Sequence, residues 1–179
     1  MSFTERQKRA LLEIARVAVM ETVTGTPYPS QPPDDLPEAT GAFVTLKKRG
    51  ALRGCIGTLE CRRPLVEEIA RVAVSAARED PRFDPVSPAE LGELDVEVSV
   101  LGPLEEIDPL DPGAIVIGTH GLVVEQGPRR GLLLPQVAIE WGWGREEFLA
   151  HTCAKAGLQP DAWQKGAKVY RFAAEVFGD

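Results

Sequence analysis

The sequence has no asparagine and only three cysteines among its 179 residues. Cys55, Cys61 and Cys153 form no close pair, and an odd, dispersed set of thiols favours reduced cysteines over a disulfide framework. CxxC pairs and the cysteine spacings of zinc and iron–sulfur sites are also missing, so we predict no metal site. The lack of asparagine beside 15 prolines is typical of thermophile proteins.

Positive charge and long apolar runs are scarce too. The formal net charge of −7 argues against broad binding to nucleic acid or anionic membranes, because both depend on basic surface. No stretch reaches the roughly 18 apolar residues of a membrane span. Glu13 and Arg16 interrupt the apolar N-terminal residues, so we predict no signal peptide and a cytoplasmic protein. Nucleotide-binding glycine loops, GxSxG and HExxH are absent as well, so none of the enzyme classes that they mark is indicated.

What is present is ordinary for a folded protein, with 44% apolar and 26% charged residues. We predict one domain over 1–179 that begins with an amphipathic helix at 4–23. Thr4 and Gln7 form a capping box at the start of this helix. Residues 25–41 contain five prolines, which indicates a connector rather than a helix or a central strand. A flap over a site is the alternative for this segment.

Two hairpins, each followed by a helix, organise the rest of the chain. In the first unit, 42–80, two strand-like runs flank the polar turn KKRG, and Pro64 is predicted at the first position of the following helix. The second unit, 94–179, starts with a strand of alternating apolar and polar residues, adds three short strands over 114–136, and closes with helices and a strand. The echo between the units indicates a duplicated β-β-α arrangement. Because hairpins rather than helical crossovers join the strands, we predict an α+β fold with a mainly antiparallel sheet and flanking helices.

The stretch ALRGCIGTLECRRP, residues 51–64, places Cys55 between Gly54 and Gly57 and two residues after Arg53. Residues two apart on a strand share a face, and a neighbouring arginine favours the reactive thiolate. The two glycines allow a ligand or another backbone to come close. Cysteine also packs in cores as a small apolar residue. The sequence therefore leaves Cys55 as either a nucleophile or a packing residue.

His120, Arg82 and a strand-to-helix joint are the other candidates. His120 lies in the glycine-flanked turn IGTHGL, where it is either a base for a cysteine nucleophile or a cap of its own turn. Arg82, in EDPRF, is either an anion ligand or part of a helix stop. Pro135 and Gln136 stand at the joint, whose free amides suit an anion.

Several phrases of the sequence together resemble the AMMECR1 family, whose bacterial and archaeal members are called AmmeMemoRadiSam system protein A. The phrases are GAFVTLKKRGALRGCIGTL, PLVEEIARVAVSAAREDPRFDPV, ELDVEVSVL, IGTHGLVVE, GLLLPQVAIEWGW and FLAHTCAKAGL. LRGCIG is the family's hallmark. The resemblance implies a two-lobed α+β structure with a cleft between the lobes. The positions that match the family's phrases are Arg53, Gly54, Cys55, Gly57, Arg82, Phe83, His120 and Pro135.

The resemblance names no reaction and no cofactor. The system name implies work with a Memo-type protein, similar to class III extradiol dioxygenases, and with a radical-SAM enzyme. This chain has no CxxxCxxC, so it is not the radical-SAM enzyme itself.

Our first hypothesis is an enzyme or enzyme component with its site in the interlobe cleft, where Cys55 attacks a small molecule or a modified side chain. His120 would be its base, and Arg53 and Arg82 would hold an anionic group. The second hypothesis is a ligand-binding or adaptor module in which Cys55 only packs. Nucleic-acid binding would need a basic face, which the net charge of −7 disfavours.

Overall fold

The computed structural model describes residues 2–28, 32–33 and 35–179. It divides the chain into two compact units, Met1–Gly102 with Glu175–Asp179, and Pro103–Ala174. Each unit has its own apolar core. All the helices that the structure describes are too short or too polar to cross a bilayer.

The first unit packs two helices against one face of a mainly antiparallel sheet. Its elements are α1 (Glu5–Thr24), β1 (Gly41–Lys48), β2 (Ala51–Thr58), α2 (Leu65–Arg78), a 3-10 helix (Pro88–Glu93), β3 (Leu94–Leu101) and the last residues of β7 (Lys168–Gly178). The strand order runs β2-β1-β3-β7. Val44, Leu46 and Val98 are fully buried on the helix-covered face and form the centre of the core.

The first half of the sequence prediction is confirmed in most details. Thr4 caps α1, and its capping box with Gln7 is complete. The hairpin and the helix after it lie where the pattern places them. Pro64, predicted as the first helical residue, is instead the residue before α2, because its backbone is extended with a ψ of 143°. The predicted connector 25–41 falls partly outside the described residues, and its described part forms no helix or strand before Gly41.

The second unit places two helices against a four-stranded antiparallel arrangement. Its elements are β4 (Glu105–Ile107), β5 (His120–Gln126), β6 (Arg129–Leu133), α3 (Pro135–Trp141), α4 (Arg145–Lys155), a 3-10 helix (Ala162–Gln164) and most of β7. The local strand order is β4-β7-β5-β6. Phe148, Leu149 and Leu122 are fully buried in its core.

Two features of the second half differ from the sequence prediction. The segment before β5, predicted as a third strand, is a turn in which Thr119 and His120 both donate backbone hydrogen bonds to the carbonyl of Val116. Its apolar residue Ile115 is buried all the same, and a short apolar run does not distinguish a strand from a buried turn. The strand at Leu94–Leu101 pairs with β1, so the second compact unit begins at Pro103 rather than at residue 94.

The α+β fold with a mainly antiparallel sheet is confirmed. The pairs β1–β2, β1–β3, β4–β7, β5–β6 and β5–β7 are all antiparallel. The interlobe cleft and the duplication of β-β-α units stay predictions.

Candidate functional site

Cys55 lies on the face of the first unit's sheet that points away from α1 and α2. Its partner on β1 is Thr45, which stands between Val44 and Leu46, both fully buried beneath the helices. Because side chains alternate along a strand, Thr45 and Cys55 face the opposite side. The Thr45 hydroxyl donates to Cys55 Sγ over 3.2 Å. The Cys55 side chain is half-buried, so its neighbours fix its position while part of it remains accessible to solvent.

The same outer face carries an ion pair close to this thiol. Glu97 on β3 is the residue directly across from Thr45. Lys47, two residues along β1, donates to Glu97 over 2.9 Å. Since directly opposed residues of an antiparallel pair have neighbouring side chains, the face presents a thiol, a hydroxyl and a carboxylate in one row.

The three cysteines differ in ways that single out Cys55. Cys153 is fully buried in the core of the second unit, and burial raises the pKa of its thiol. Cys61 packs against the core of the first unit, and burial, followed by the charge of Glu68, raises its pKa too. A raised pKa leaves less of the reactive thiolate. Among the described residues Cys55 belongs to neither core and has a hydroxyl donor at its sulfur.

The backbone of Cys55 is tied to Asp80, which follows α2. β2 ends the strand order, so one of its edges has no neighbouring strand in the part of the chain that the structure describes. At that edge the N–H of Cys55 donates to Asp80 Oδ2 over 2.9 Å. Arg82 donates to the same carboxylate from Nη2 over 2.7 Å and from Nε over 3.0 Å. The guanidinium of Arg82, with the two backbone N–H groups, holds the pKa of Asp80 well below its usual value in spite of burial.

A second arginine–carboxylate pair lies beside the first. Arg53 donates from Nε and Nη2 to the two oxygens of Glu90, over 2.9 and 3.1 Å, and this pairing lowers the pKa of Glu90. The Phe83 ring is in reach of both arginines, with the guanidinium carbons of Arg53 and Arg82 at 5.9 and 5.5 Å from its centroid. Each arginine already has a carboxylate partner, so an anionic ligand would use the nitrogens that remain. Their role as anion ligands stays a prediction.

Gly54 and Gly57 face atoms of the protein itself. A Cβ on Gly54 would lie 2.2 Å from the carbonyl oxygen of Ala76 in α2, and one on Gly57 would lie 2.2 Å from the ring of Phe43. The sequence allowed either a ligand or another backbone to come close to Gly54, and the structure contains the approach to another backbone. A ligand contact at either glycine stays a prediction.

His120 begins β5 in the second unit and caps the turn before it. Its Nδ1 accepts a hydrogen bond of 3.0 Å from the N–H of Val116. A neutral imidazole with an accepting Nδ1 carries its proton on Nε2, which makes Nε2 a donor. Burial, followed by the positive charge of Arg171, lowers the pKa of His120 and favours this neutral ring. The local geometry favours the turn cap, and a base role towards Cys55, which belongs to the other unit, stays a prediction.

Pro135 and Gln136 open α3, a helix of seven residues. Pro135 is buried and Gln136 is half-buried. An anion at this joint stays a prediction. In the part of the chain that the structure describes, no group of three or more His, Cys, Asp or Glu side chains is placed to hold a metal ion.

A sequence model of the AMMECR1 family matches residues 12–177. The chain belongs to the AMMECR1 family. The matched range spans both compact units and contains every candidate residue described above.

Similar AMMECR1 proteins come from thermophilic archaea. A protein of Methanothermobacter thermautotrophicus is 52% identical over 178 residues, covering 94% of this chain and 92% of the relative. Protein TK0174 of Thermococcus kodakarensis is 51% identical, covering 93% of this chain and 87% of the relative. The crystal structure of the uncharacterized protein PH0010 from Pyrococcus horikoshii has a TM-score of 0.85 and 46% identity, covering 99% of this chain and 93% of that one. The fold described here is therefore that of a solved AMMECR1 protein.

Sequence reasoning on this AMMECR1 chain missed Thr45 and Glu90, and it placed Asp80 only in a helix stop. Thr45 could have been found as the polar residue inside FVTL. Counting back from the KKRG turn would have paired Cys55 with Val44 instead, because the register shifts by one residue between Leu46 and Lys47. Nothing in the sequence brings Asp80 or Glu90 to the edge of β2.

Proposed function

We propose that the protein is an enzyme, or a component of one, whose reactive group is the thiol of Cys55. In this function the sulfur attacks an electrophilic carbon of a small molecule or of a modified side chain. A carbon–sulfur bond forms, and the leaving group departs with its electron pair. The thiol proton passes to solvent or to a base before the attack.

The observation that carries this proposal is the setting of the Cys55 sulfur. The thiol is half-buried on the outer sheet face and accepts a hydrogen bond from the Thr45 hydroxyl over 3.2 Å. The hydroxyl donor fixes the direction of the sulfur and is already in place for the charge that the attacking sulfur carries. The Arg82 guanidinium lies beside the backbone of Cys55, because Arg82 Nη2 and the Cys55 N–H both donate to Asp80 Oδ2. Reactive cysteines are typically partly exposed and within reach of a positive charge.

We further propose that the protein works in the cytoplasm with a Memo-type protein and a radical-SAM enzyme, which supply or receive the group that Cys55 handles. This part rests on the family resemblance. The absence of asparagine and the thermophilic sources of similar proteins support a thermophilic source. Co-purification with the two partner proteins of the same organism tests the association, which a Cys55→Ser variant should retain while it loses activity.

A ligand-binding or adaptor module is the second candidate. Two observations favour it. Gly54 and Gly57 both contact the protein itself, as residues needed for packing would. Arg53 is mostly buried against Glu90, with 14% of its side chain exposed, as expected of a structural pair. In this case the thiol of Cys55 only packs against its neighbours on the sheet face.

Alkylation of the native chain by iodoacetamide separates the two functions. Each cysteine is quantified in its own peptide by mass spectrometry, so all three thiols are compared in one unmodified protein. We expect Cys55 to react at least about tenfold faster than Cys61 and Cys153, because their thiols have raised pKa values. In urea the three rates should become similar.

Thr45 supplies the matched variants for this experiment. Thr45→Val keeps the shape but removes the hydroxyl, and we expect it to slow the alkylation of Cys55. Thr45→Ser keeps the hydroxyl and should restore most of the rate. Protection of Cys55 until the chain unfolds, as for Cys153, would rule out the thiol function and leave the binding module.

A further inference from the structure

Asp80 is a buried carboxylate that the sequence places only in a helix stop. It follows α2 in the phrase EDPRF, and 2% of its side chain is exposed. A carboxylate this deeply buried needs donors at both of its oxygens. The donors that it has link the backbone of Cys55 to the side chain of Arg82.

Four N–H groups converge on this carboxylate. Oδ2 accepts from the backbone of Cys55 over 2.9 Å and from Nη2 of Arg82 over 2.7 Å. Oδ1 accepts from the backbone of Arg82 over 3.1 Å and from its Nε over 3.0 Å. One oxygen is therefore shared between Cys55 and Arg82, and the second oxygen fixes the plane of the guanidinium.

Arg82 depends on this carboxylate for its position. Its side chain is 53% exposed, so burial by itself does not hold it. Its other described contact is the Phe83 ring, at 5.5 Å from ring centroid to guanidinium carbon. The bidentate bond to Asp80 is the directional contact that keeps the guanidinium beside the edge of β2.

We propose that Asp80 is a positioning residue that holds the Arg82 guanidinium where it stabilises the thiolate of Cys55. The inference rests on the proposed function, in which Cys55 reacts as a thiolate. Asp80 bonds to the backbone N–H of Cys55, whereas the described hydrogen bond at the sulfur comes from Thr45. Asp80 therefore acts through Arg82 and through the backbone of β2.

The charged groups around Cys55 decide in which direction the loss of Asp80 should change the alkylation rate. On the sheet face they are Lys47 and Glu97, which neutralise each other. At the edge of β2 they are the pairs Arg53–Glu90 and Arg82–Asp80. If Asp80 acted only through its negative charge, its removal would favour the thiolate and speed alkylation. A positioning role predicts the opposite, because a freed Arg82 swings into solvent.

The test measures the alkylation rate of Cys55 against pH in Asp80→Asn, Arg82→Gln and the double variant. We expect Asp80→Asn to slow the reaction at neutral pH by about tenfold and to move its pH profile upward, as loss of an adjacent arginine would. Arg82→Gln should have a similar effect. The double variant should be no slower than the slower single variant, since the two residues act as one unit.

Glu68 provides a matched control in the same unit. It is a buried carboxylate that accepts from the backbone of Arg62 over 3.1 Å and from Nε of Arg71 over 2.8 Å. Glu68→Gln breaks the same kind of link between a backbone N–H and an arginine, at a site that does not involve Cys55. We expect it to lower the melting temperature to a similar degree while the pH profile of Cys55 alkylation stays in place.

The outcomes distinguish this inference from the proposed function. If Cys55 is already protected in the parent chain, the proposed function fails. If the parent reacts and Asp80→Asn reacts equally fast or faster, the thiol function stands and the role of Asp80 is refuted. If Asp80→Asn fails to fold, the variant at the half-exposed Arg82 still tests the inference. An Arg82→Gln variant that reacts at the parent's rate would refute the positioning role of Asp80 as well.

Discussion

The hairpin β1–β2 of the first unit and the hairpin β5–β6 of the second are built alike at one point. In each, a glycine of the second strand lies against the backbone near the end of a helix of the same unit, α2 for Gly54 and α4 for Gly131. A Cβ on Gly54 would lie 2.2 Å from the carbonyl oxygen of Ala76, and one on Gly131 would lie 2.3 Å from the backbone nitrogen of Ala156. Both strands can approach their helix this closely because they carry no side chain there.

The two hairpins differ in the charges that they carry. On β2, Arg53 pairs with Glu90 over 2.9 Å, with 14% and 17% of the two side chains exposed. On β6, Arg130 approaches Glu125 only to 3.8 Å, with 40% and 39% exposed. Buried, closely paired charges are expensive to place, because both groups lose contact with water. The two hairpins therefore share this close approach, and of the two only β2 carries a mostly buried arginine–carboxylate pair.

The largest effect is expected at the shared feature. Gly54→Ala and Gly131→Ala each force a methyl group into backbone atoms, so each should lower the free energy of unfolding by about 1–3 kcal/mol or more. Urea titration followed by circular dichroism measures both. Gly92→Ala and Gly113→Ala, where a Cβ meets nothing within 3.4 Å, are the controls and should change it by less than about 0.5 kcal/mol. Unequal losses at Gly54 and Gly131 would break the likeness of the two hairpins.

The charge difference should appear as a smaller effect. Glu90→Gln removes the partner of a mostly buried arginine and should cost about 1–2 kcal/mol. Glu125→Gln removes an exposed, distant partner and should cost less than about 0.5 kcal/mol. Equal costs would mean that the buried pair is no stronger than the surface one.

Acid sharpens this comparison, because Arg53 and the other donors hold the pKa of Glu90 below its ordinary value. A lowered pKa means that the unfolded chain takes up the proton first. The stabilisation is then complete above the ordinary carboxyl pKa of about 4.3 and is lost as the pH falls below it. The gap between the parent and Glu90→Gln should therefore close in acid, and a gap that does not change with pH would contradict the pairing.

The smallest effect is expected at His120 in the second unit. Its pKa lies below the ordinary value of 6.5, so the unfolded chain binds its proton more readily than the folded one. The free energy of unfolding should therefore increase with pH up to about that value and decrease again as the pH is lowered. For one half-buried group the change should be less than about 1 kcal/mol. His120→Gln keeps an acceptor for the N–H of Val116 and removes the titration. Melting temperatures measured from mildly acidic to neutral pH should then show a flatter slope.

Local signals predicted much of the fold. The capping box of Thr4 and Gln7, the hairpin turn, α4 and β7 all depend on residues close in sequence, and all are confirmed. The turn before β5 was missed because its apolar residues are buried without being extended. The pairing of β3 with β1 is a contact between distant parts of the chain, and hydrophobic alternation does not name a strand's partner.

The sequence by itself determined the α+β class and the family, and it placed a thiol two residues after Arg53. Only the tertiary structure decided what that thiol faces. The shift between Leu46 and Lys47 makes Arg53 an extra residue on β2 and sets Cys55 opposite Thr45. Without this bulge, Cys55 would pair with Val44, on the helix-covered face, because a slip of one residue turns every side chain to the other side. A single inserted residue, invisible in the pattern, is the physical reason that Cys55 lies outside the core.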